Sequence, residues 1–379
     1  MKRILISLTV FLLLGTVLPM AHATTDSTFH RQGEVFTRAY TKSINKLFQV
    51  DQVGDLRIDN RHGDINYAVW DRNEVKIAIL IEVDASSESR ADETFDRITV
   101  DFGSGKTAVS AKTEIDSKGG NSWWGSSNCS FTINYTISAP KGWNVDLANS
   151  YGDVRTPDLA MDAKLDVRYG DLFTGNVGGH TDLFVSYGEA HLGKLQKLDA
   201  TFKYAEVEIK SATLTTINSK YSETKIKRLA RLNLDSQYDE FVIGSVREFV
   251  NAGRYDDFKI DSAWSVKLDS RYTDIRINYL ADDVELDMRH GDAFVGSTAP
   301  QLSSVYMKGD YSDFTVKVHP MVKYSLEAKG RYTDIDLPSS IKMMRKEEIG
   351  SSSNYEGQHG ANPKATIVMT TSYGSIDLR

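Results

Sequence analysis

One short pattern returns along the chain and restricts what it can fold into. It reads Ser150-Tyr151-Gly152-Asp153-Val154, then Arg168-Tyr169-Gly170-Asp171-Leu172, then Ser186-Tyr187-Gly188-Glu189, and continues at Tyr204, Tyr221, Tyr238, Tyr255, Tyr272, His290, Tyr311, Tyr332 and Tyr373. From Tyr151 the steps are 18, 18, 17, 17, 17, 17, 17, 18, 21, 21 and 41 residues; the last spans about two units, so one unit is degenerate or replaced by an insertion. An outlying copy, Arg61-His62-Gly63-Asp64-Ile65, stands near the N-terminus. Helical repeats need roughly 30 residues or more and propeller blades about 40. A unit this short suits one coil of a β-solenoid.

Within a unit the apolar residues alternate. The third and fifth residues after the ring are Val207 and Ile209, Phe241 and Ile243, Phe258 and Ile260, or Ile275 and Ile277, and the fourth residue before it is Leu165, Leu183, Ile217, Leu234, Leu268 or Leu286. Period-two alternation gives a strand with one face inward. The offset changes across the ring, as a corner requires. The expected fold is therefore all-β: a single-stranded β-helix of ~17–21-residue coils, stacked about 4.8 Å apart into a rod on the order of 55 Å long.

Stacking turns each repeat position into a column. Tyr169, Tyr187, Tyr204, Tyr221, Tyr238, Tyr255 and Tyr272 would form an aromatic ladder. Two residues on stands an acid, including Asp171, Glu206, Asp257 and Asp274. Like charges at coil spacing repel by roughly 1 kcal/mol per pair in water. The residue before the ring is often basic (Arg168, Lys203, Lys220, Arg254, Arg271, Arg289, Arg331), which predicts a stripe of acid cross-linked to base beside the ladder.

Residues 24–140 lack the rhythm. Val53–Ile58, Asp64–Trp70, Val75–Ile81, Ile98–Phe102, Thr107–Ile115 and Phe131–Ser138 read as strands, and Ser86–Arg97, with a serine cap and Ala91, Phe95 and Ile98 on one face, as a helix. A solenoid needs its open ends covered, so 24–140 is expected to be an N-terminal β-rich cap with one short helix, and 141–379 the repeats. A Gly/Ser/Asn-rich loop from Ser117 to Ser130 holds Trp123 and Trp124, and a polar loop interrupts the repeats at about 339–364. Residues 1–23 carry Lys2 and Arg3, an apolar run from Ile4 to Leu18 and Ala21-His22-Ala23, the pattern of a cleaved export signal. The apolar run is shorter than the ~20 residues of a membrane span, and no later segment is apolar enough to be one. The chain is expected to be exported, with periplasm favoured over cell surface.

Leu56-Arg57-Ile58-Asp59-Asn60-Arg61-His62-Gly63-Asp64-Ile65, followed by Val69-Trp70-Asp71 and Val75-Lys76-Ile77, resembles the opening of a bacterial family called "putative adhesin", a domain of unknown function. The Tyr-Gly-Asp units after Ser138-Ala139-Pro140-Lys141-Gly142-Trp143 are similar to its body. The resemblance covers roughly 50–379. It implies an exported β-helix-like protein, often encoded beside envelope-stress regulators, and it brings no catalytic residues.

Candidate chemistry is sparse. A net charge of −7 leaves no basic excess for nucleic acid. One cysteine, Cys129, excludes a disulfide framework within the chain. Gly103-Ser104-Gly105-Lys106-Thr107 imitates the end of a phosphate-binding loop but lacks the first glycine, since Val100 stands there. A glycosidase needs two carboxyls in unlike surroundings, whereas this acid repeats in near-equivalent units. The glycine-rich nonapeptide of calcium-binding β-rolls is absent, so neither a metal nor a cofactor is expected. Trp123 and Trp124 are the candidate binding residues, because adjacent indoles on a loop can stack on a sugar or anchor a partner. The expected function is non-enzymatic: an extended surface for an unidentified protein or glycan, adhesin-like or envelope-associated. The alternatives are a carbohydrate-binding or polysaccharide-processing β-helix and, from the resemblance alone, an envelope-stress accessory.

Overall fold

The computed structural model describes residues 38–116 and 129–379. The export segment and Trp123 and Trp124 lie outside the described residues. Apart from the helix Glu88–Asp96 the described chain is all β, with long strands stacked in one mixed sheet. The helix forms where the capping pattern predicts it: Ser87 Oγ accepts the Arg90 N–H at 3.4 Å, and Ala91, Thr94 and Phe95 are buried.

Successive repeats pair in parallel with like residue opposite like. Glu206, Glu223, Glu240, Asp257 and Asp274 follow one another across four strand pairs, and so do Ile209, Ile226, Ile243, Ile260 and Ile277. The isoleucines are at most 2% exposed. Each such side chain contributes about 1.5–3 kcal/mol by burial, and a slip by one residue would turn the whole column outward. The inward alternation read from the sequence is thus what holds the register.

Both ends depart from simple succession. The strand Val53–Arg61 pairs in parallel with Gly142–Ser150, so the His62 unit lies directly against the Tyr151 unit although 89 residues separate the two rings. Beyond it the pairing turns antiparallel, through Ser130–Pro140, Glu74–Ala85 and Arg38–Gln49. The Gly103–Lys106 stretch falls at the turn between the antiparallel strands Ile98–Ser104 and Ala108–Ile115, and no helix follows it.

At the other end, Ala365–Ser372 lies between Ser304–Asp310 and Tyr324–Arg331, parallel to both. The stacking order is therefore Tyr311, Tyr373, Tyr332, which explains the 41-residue step: the last unit returns and inserts itself between the two before it. The stretch 339–364 is correspondingly not a loop. It forms an antiparallel hairpin of Lys342–Ile349 and Ser352–His359, the latter paired with Tyr324–Arg331. Every residue of Lys342–Ile349 is exposed. A strand wet on both faces has no apolar alternation, so hydropathy leaves no trace of it.

Candidate functional site

Among the described residues, thirteen of the fourteen non-glycine residues with positive φ are the repeat's rings, His62 through Tyr373, at 51° to 63°. An L-residue in this left-handed region costs roughly 1–2 kcal/mol. Backbone preference alone would place glycine or asparagine there. The rings recover the cost by stacking: neighbours lie 4.6–5.1 Å apart between centroids and within 12° of parallel, without a break from His62 to Tyr332. Such contacts contribute about 0.5–1.5 kcal/mol each beyond burial. All seven tyrosines predicted for the ladder are in it. They stay 42–49% exposed, showing solvent their edges while their faces cover one another.

The acids two residues on also form a column, but the cross-linking differs from expectation. The predicted partners one residue before the ring do not neutralise them; among the described residues Arg254, Arg271 and Arg289 make no ion pair, and Arg168 pairs instead with Asp166 at 2.9 Å. The cations come from four residues after the ring. Lys225 bridges Glu223 (2.7 Å) and Glu206 (3.1 Å), Lys259 bridges Glu240 (2.6 Å) and Asp257 (3.6 Å), and Arg155 bridges Asp153 (2.8 Å) and Asp64 (3.8 Å). Residues two apart on a strand share a face, whereas the preceding basic residue lies across the corner. Hydrogen bonds that it donates to Glu223 and then Glu206 hold the Lys225 ammonium above its ordinary pKa.

The acids also cap backbone. Asp153 Oδ1 accepts the Asp171 N–H at 3.0 Å, and Asp171 Oδ1 accepts that of Glu189 at 2.9 Å. In the middle units a second acid, next to the ring, takes over. Asp239 accepts the N–H groups of Ser222 (2.7 Å) and Gln237 (2.9 Å), and Asp256 accepts that of Asp239 (3.0 Å) and the Ser236 hydroxyl (2.9 Å). Both are 4% exposed, and desolvation pushes each carboxyl up to about 6. Their surroundings are alike and their oxygens are engaged by backbone amides and by the Ser219 and Ser236 hydroxyls, so they lack the unlike pair of an acid–base catalyst. Among the described residues no group of three or more His, Cys, Asp or Glu side chains is placed to hold a metal ion.

Two open depressions join on the face that carries the fourth and sixth residues after the ring. One, of about 590 Å³, is lined by His191, Glu208, Lys210, Lys225, Lys227 and Asp261 over Gly193 and Gly244. The other, of about 620 Å³, is lined by Asn66, Tyr67, Arg155 and Phe173. They share Thr174 and His191, so one groove crosses several units. At its N-terminal end the Arg155 guanidinium lies 4.8 Å from the Phe173 ring centroid and His191 stacks on the same ring at 5.2 Å. A third depression, of about 710 Å³, runs beside Tyr221, Tyr238, Tyr255 and Tyr272. The groove's wall is the fourth residue of each unit (Arg155, Phe173, His191, Glu208, Lys225), a set with no residue type in common and so without a signature in the sequence. Cys129 is half-buried, with Sγ 3.4 Å from Thr94 Oγ1.

No family model matches the chain, and no curated protein does. Solved structures do. A "putative adhesin" from Parabacteroides merdae is 12% identical, with a TM-score of 0.33 over 73% of this chain and 92% of that one. A "putative cell adhesion protein" from Clostridium sporogenes is 8% identical, with a TM-score of 0.18 over 89% and 99%. A "putative lipid binding protein" from Parabacteroides distasonis is 10% identical, with a TM-score of 0.27 over 73% and 96%. At such identities and scores they carry no argument about activity. The described residues contain no helix long and apolar enough to cross a membrane.

Proposed function

We propose that this chain is an exported, non-enzymatic, single-stranded β-solenoid that binds an extended protein or glycan along its side, in an adhesin-like or envelope-associated role and in the periplasm rather than on the cell surface. The supporting observation is the parallel, like-on-like pairing of the repeats. It carries one outer face across many units without interruption and so makes a long groove rather than a pocket for a small molecule. Repeat folds present concave surfaces in this way. The ladder itself offers only ring edges, so face-on stacking of sugars falls to the groove and to Trp123 and Trp124.

The test uses residues 24–379, screened on a glycan array and as bait in envelope extracts, beside a Lys210→Glu/Lys227→Glu variant and a Trp123→Ala/Trp124→Ala variant. Loss of the captured ligand with the first variant places binding in the groove, and loss with the second places it on the loop. A ligand retained by both overturns the reading, as does release of reducing ends from any bound polysaccharide.

A further inference from the structure

The strand Lys342–Ile349 is the outermost strand at the C-terminal end. Its inner edge pairs with Ser352–His359, and among the described residues its outer edge has no partner. Eight residues of unpaired backbone form a template for another strand. Met344 and Ile349 on it are 63% and 75% exposed, unusual for apolar side chains on an edge. It is also partly guarded: Lys342, Arg345 and Lys346 are cationic, and the register shifts between Met343 and Arg345, a bulge that breaks the ladder at one end. These devices discourage promiscuous pairing but leave Arg345–Ile349 regular.

That regular segment is complementary to itself. Two copies joined edge to edge by a two-fold axis run antiparallel, and the axis requires opposed residues to share a face. Arg345 and Glu347 do share one, since Arg345 reaches Glu347 at 2.7 Å within the strand. Centring the axis on Lys346 sets Arg345 of each copy opposite Glu347 of the other, giving two opposite-charge pairs by symmetry. It also brings each Ile349 beside the Met343–Met344 bulge of the second copy. The single like-charge contact is Lys346 with its mate, and each of those ammonium groups is already held by its own Glu348 at 3.2 Å. The bodies clear one another, because this strand lies two strand spacings, about 10 Å, beyond the terminal repeat strand Tyr324–Arg331.

We propose that this edge is an isologous dimerisation surface whose partner is a second copy of the chain, joined through antiparallel pairing of Lys342–Ile349. The contact is one strand wide, which places it among small, reversible interfaces. This proposal is independent of the groove.

Sedimentation velocity on residues 24–379 over a concentration series is the test. Wild type is expected to show a concentration-dependent monomer–dimer equilibrium. Arg345→Glu places only acids on the paired face, and Glu347→Lys only bases, so each alone is expected to dissociate about tenfold or more readily. An equimolar mixture of the two restores complementary charge and is expected to dimerise again, an outcome that misfolding of either variant would not produce. Unchanged circular dichroism confirms that the single variants are folded. Monomeric wild type at every concentration overturns the proposal, and so does a dimer indifferent to both substitutions or a mixture that stays monomeric.

Discussion

The ladder is one column, but two kinds of corner carry it. Around Tyr151 and Tyr169 the ring is followed by glycine, the units are 18 residues long, and the strands are short pieces such as Val154–Thr156 and Ala163–Arg168; Tyr187 keeps the glycine but already lies within the continuous strand Val177–Lys220. From Tyr204 to Tyr272 the ring is followed by alanine, serine, aspartate or threonine, the units are 17 residues long, and strands such as Glu223–Gln237 and Glu240–Arg254 run almost from corner to corner. In the first kind, a half-buried acid two residues past the ring caps the next unit's amide. In the second, that amide is taken by backbone, as when Asp257 N–H donates to Asp239 O at 2.9 Å, and the orphan is the amide next to the ring. A side chain from the following unit caps it: Ser222 for Ala205, Asp239 for Ser222, Asp256 for Asp239, Thr273 for Asp256. One residue more or less in the unit moves the unsatisfied donor by one position, and the sequence supplies an acceptor wherever it falls.

The sharpest way to break this contrast is to exchange glycine and alanine at the residue after the ring in each kind of corner. A Cβ on Gly170 would meet Gly152 O at 2.1 Å, inside backbone that has nothing to give. Gly170→Ala is expected to cost about 3 kcal/mol or more in urea unfolding, while Ala205→Gly in the other kind of corner costs about 1 kcal/mol or less. Equal losses would remove the distinction.

Removing the caps comes next. Asp256→Ala leaves the Asp239 amide and the Ser236 hydroxyl buried without acceptors, an expected loss of about 2 kcal/mol. Asp171→Ala opens its corner to water and costs about 1 kcal/mol or less.

Acidity separates the two kinds as well. Asp239 and Asp256 have folded pKa values raised to about 6, above the ordinary carboxylate value, so the native state holds more protons than the unfolded state between about pH 4 and 6. Their contribution is fully present below that window and is lost as pH rises through 6. The melting temperature is therefore expected to fall between pH 4.5 and 7, and Asp239→Asn/Asp256→Asn to flatten that slope while lowering stability throughout. A wild-type slope of opposite sign in this window would contradict the buried-acid account.

The smallest effect concerns the ring. Tyr238→Ala loses two stacks and keeps the left-handed strain, whereas Tyr238→Gly loses the stacks and relieves it. Glycine is expected to be the more stable of the two by about 0.5–1 kcal/mol, a reversal of its usual rank.

Much of this was legible beforehand, for a physical reason. A repeat that places like over like writes its period, its inward face and its corner into the chain at short range, and the helix after Ser87 and the early strands likewise declare themselves through local capping and alternation. Three things were not local. The acids' partners depend on which side of a left-handed corner a side chain leaves, and the sign of that φ is invisible where tyrosine stands in place of glycine. The groove depends on residues that carry no shared identity, since Arg155, Phe173, His191 and Lys225 are a column only in space.

The ends depend on where distant segments go. That His62 should lie against Tyr151, or that Tyr373 should slip between Tyr311 and Tyr332, follows from which open edge each returning strand covers. By itself the sequence determined the unit and the direction of its side chains, because those follow from alternation over a few residues. Tertiary structure alone decided the order of the terminal units and the exposed hairpin beyond them, because edge pairing is made by backbone groups that every residue carries alike.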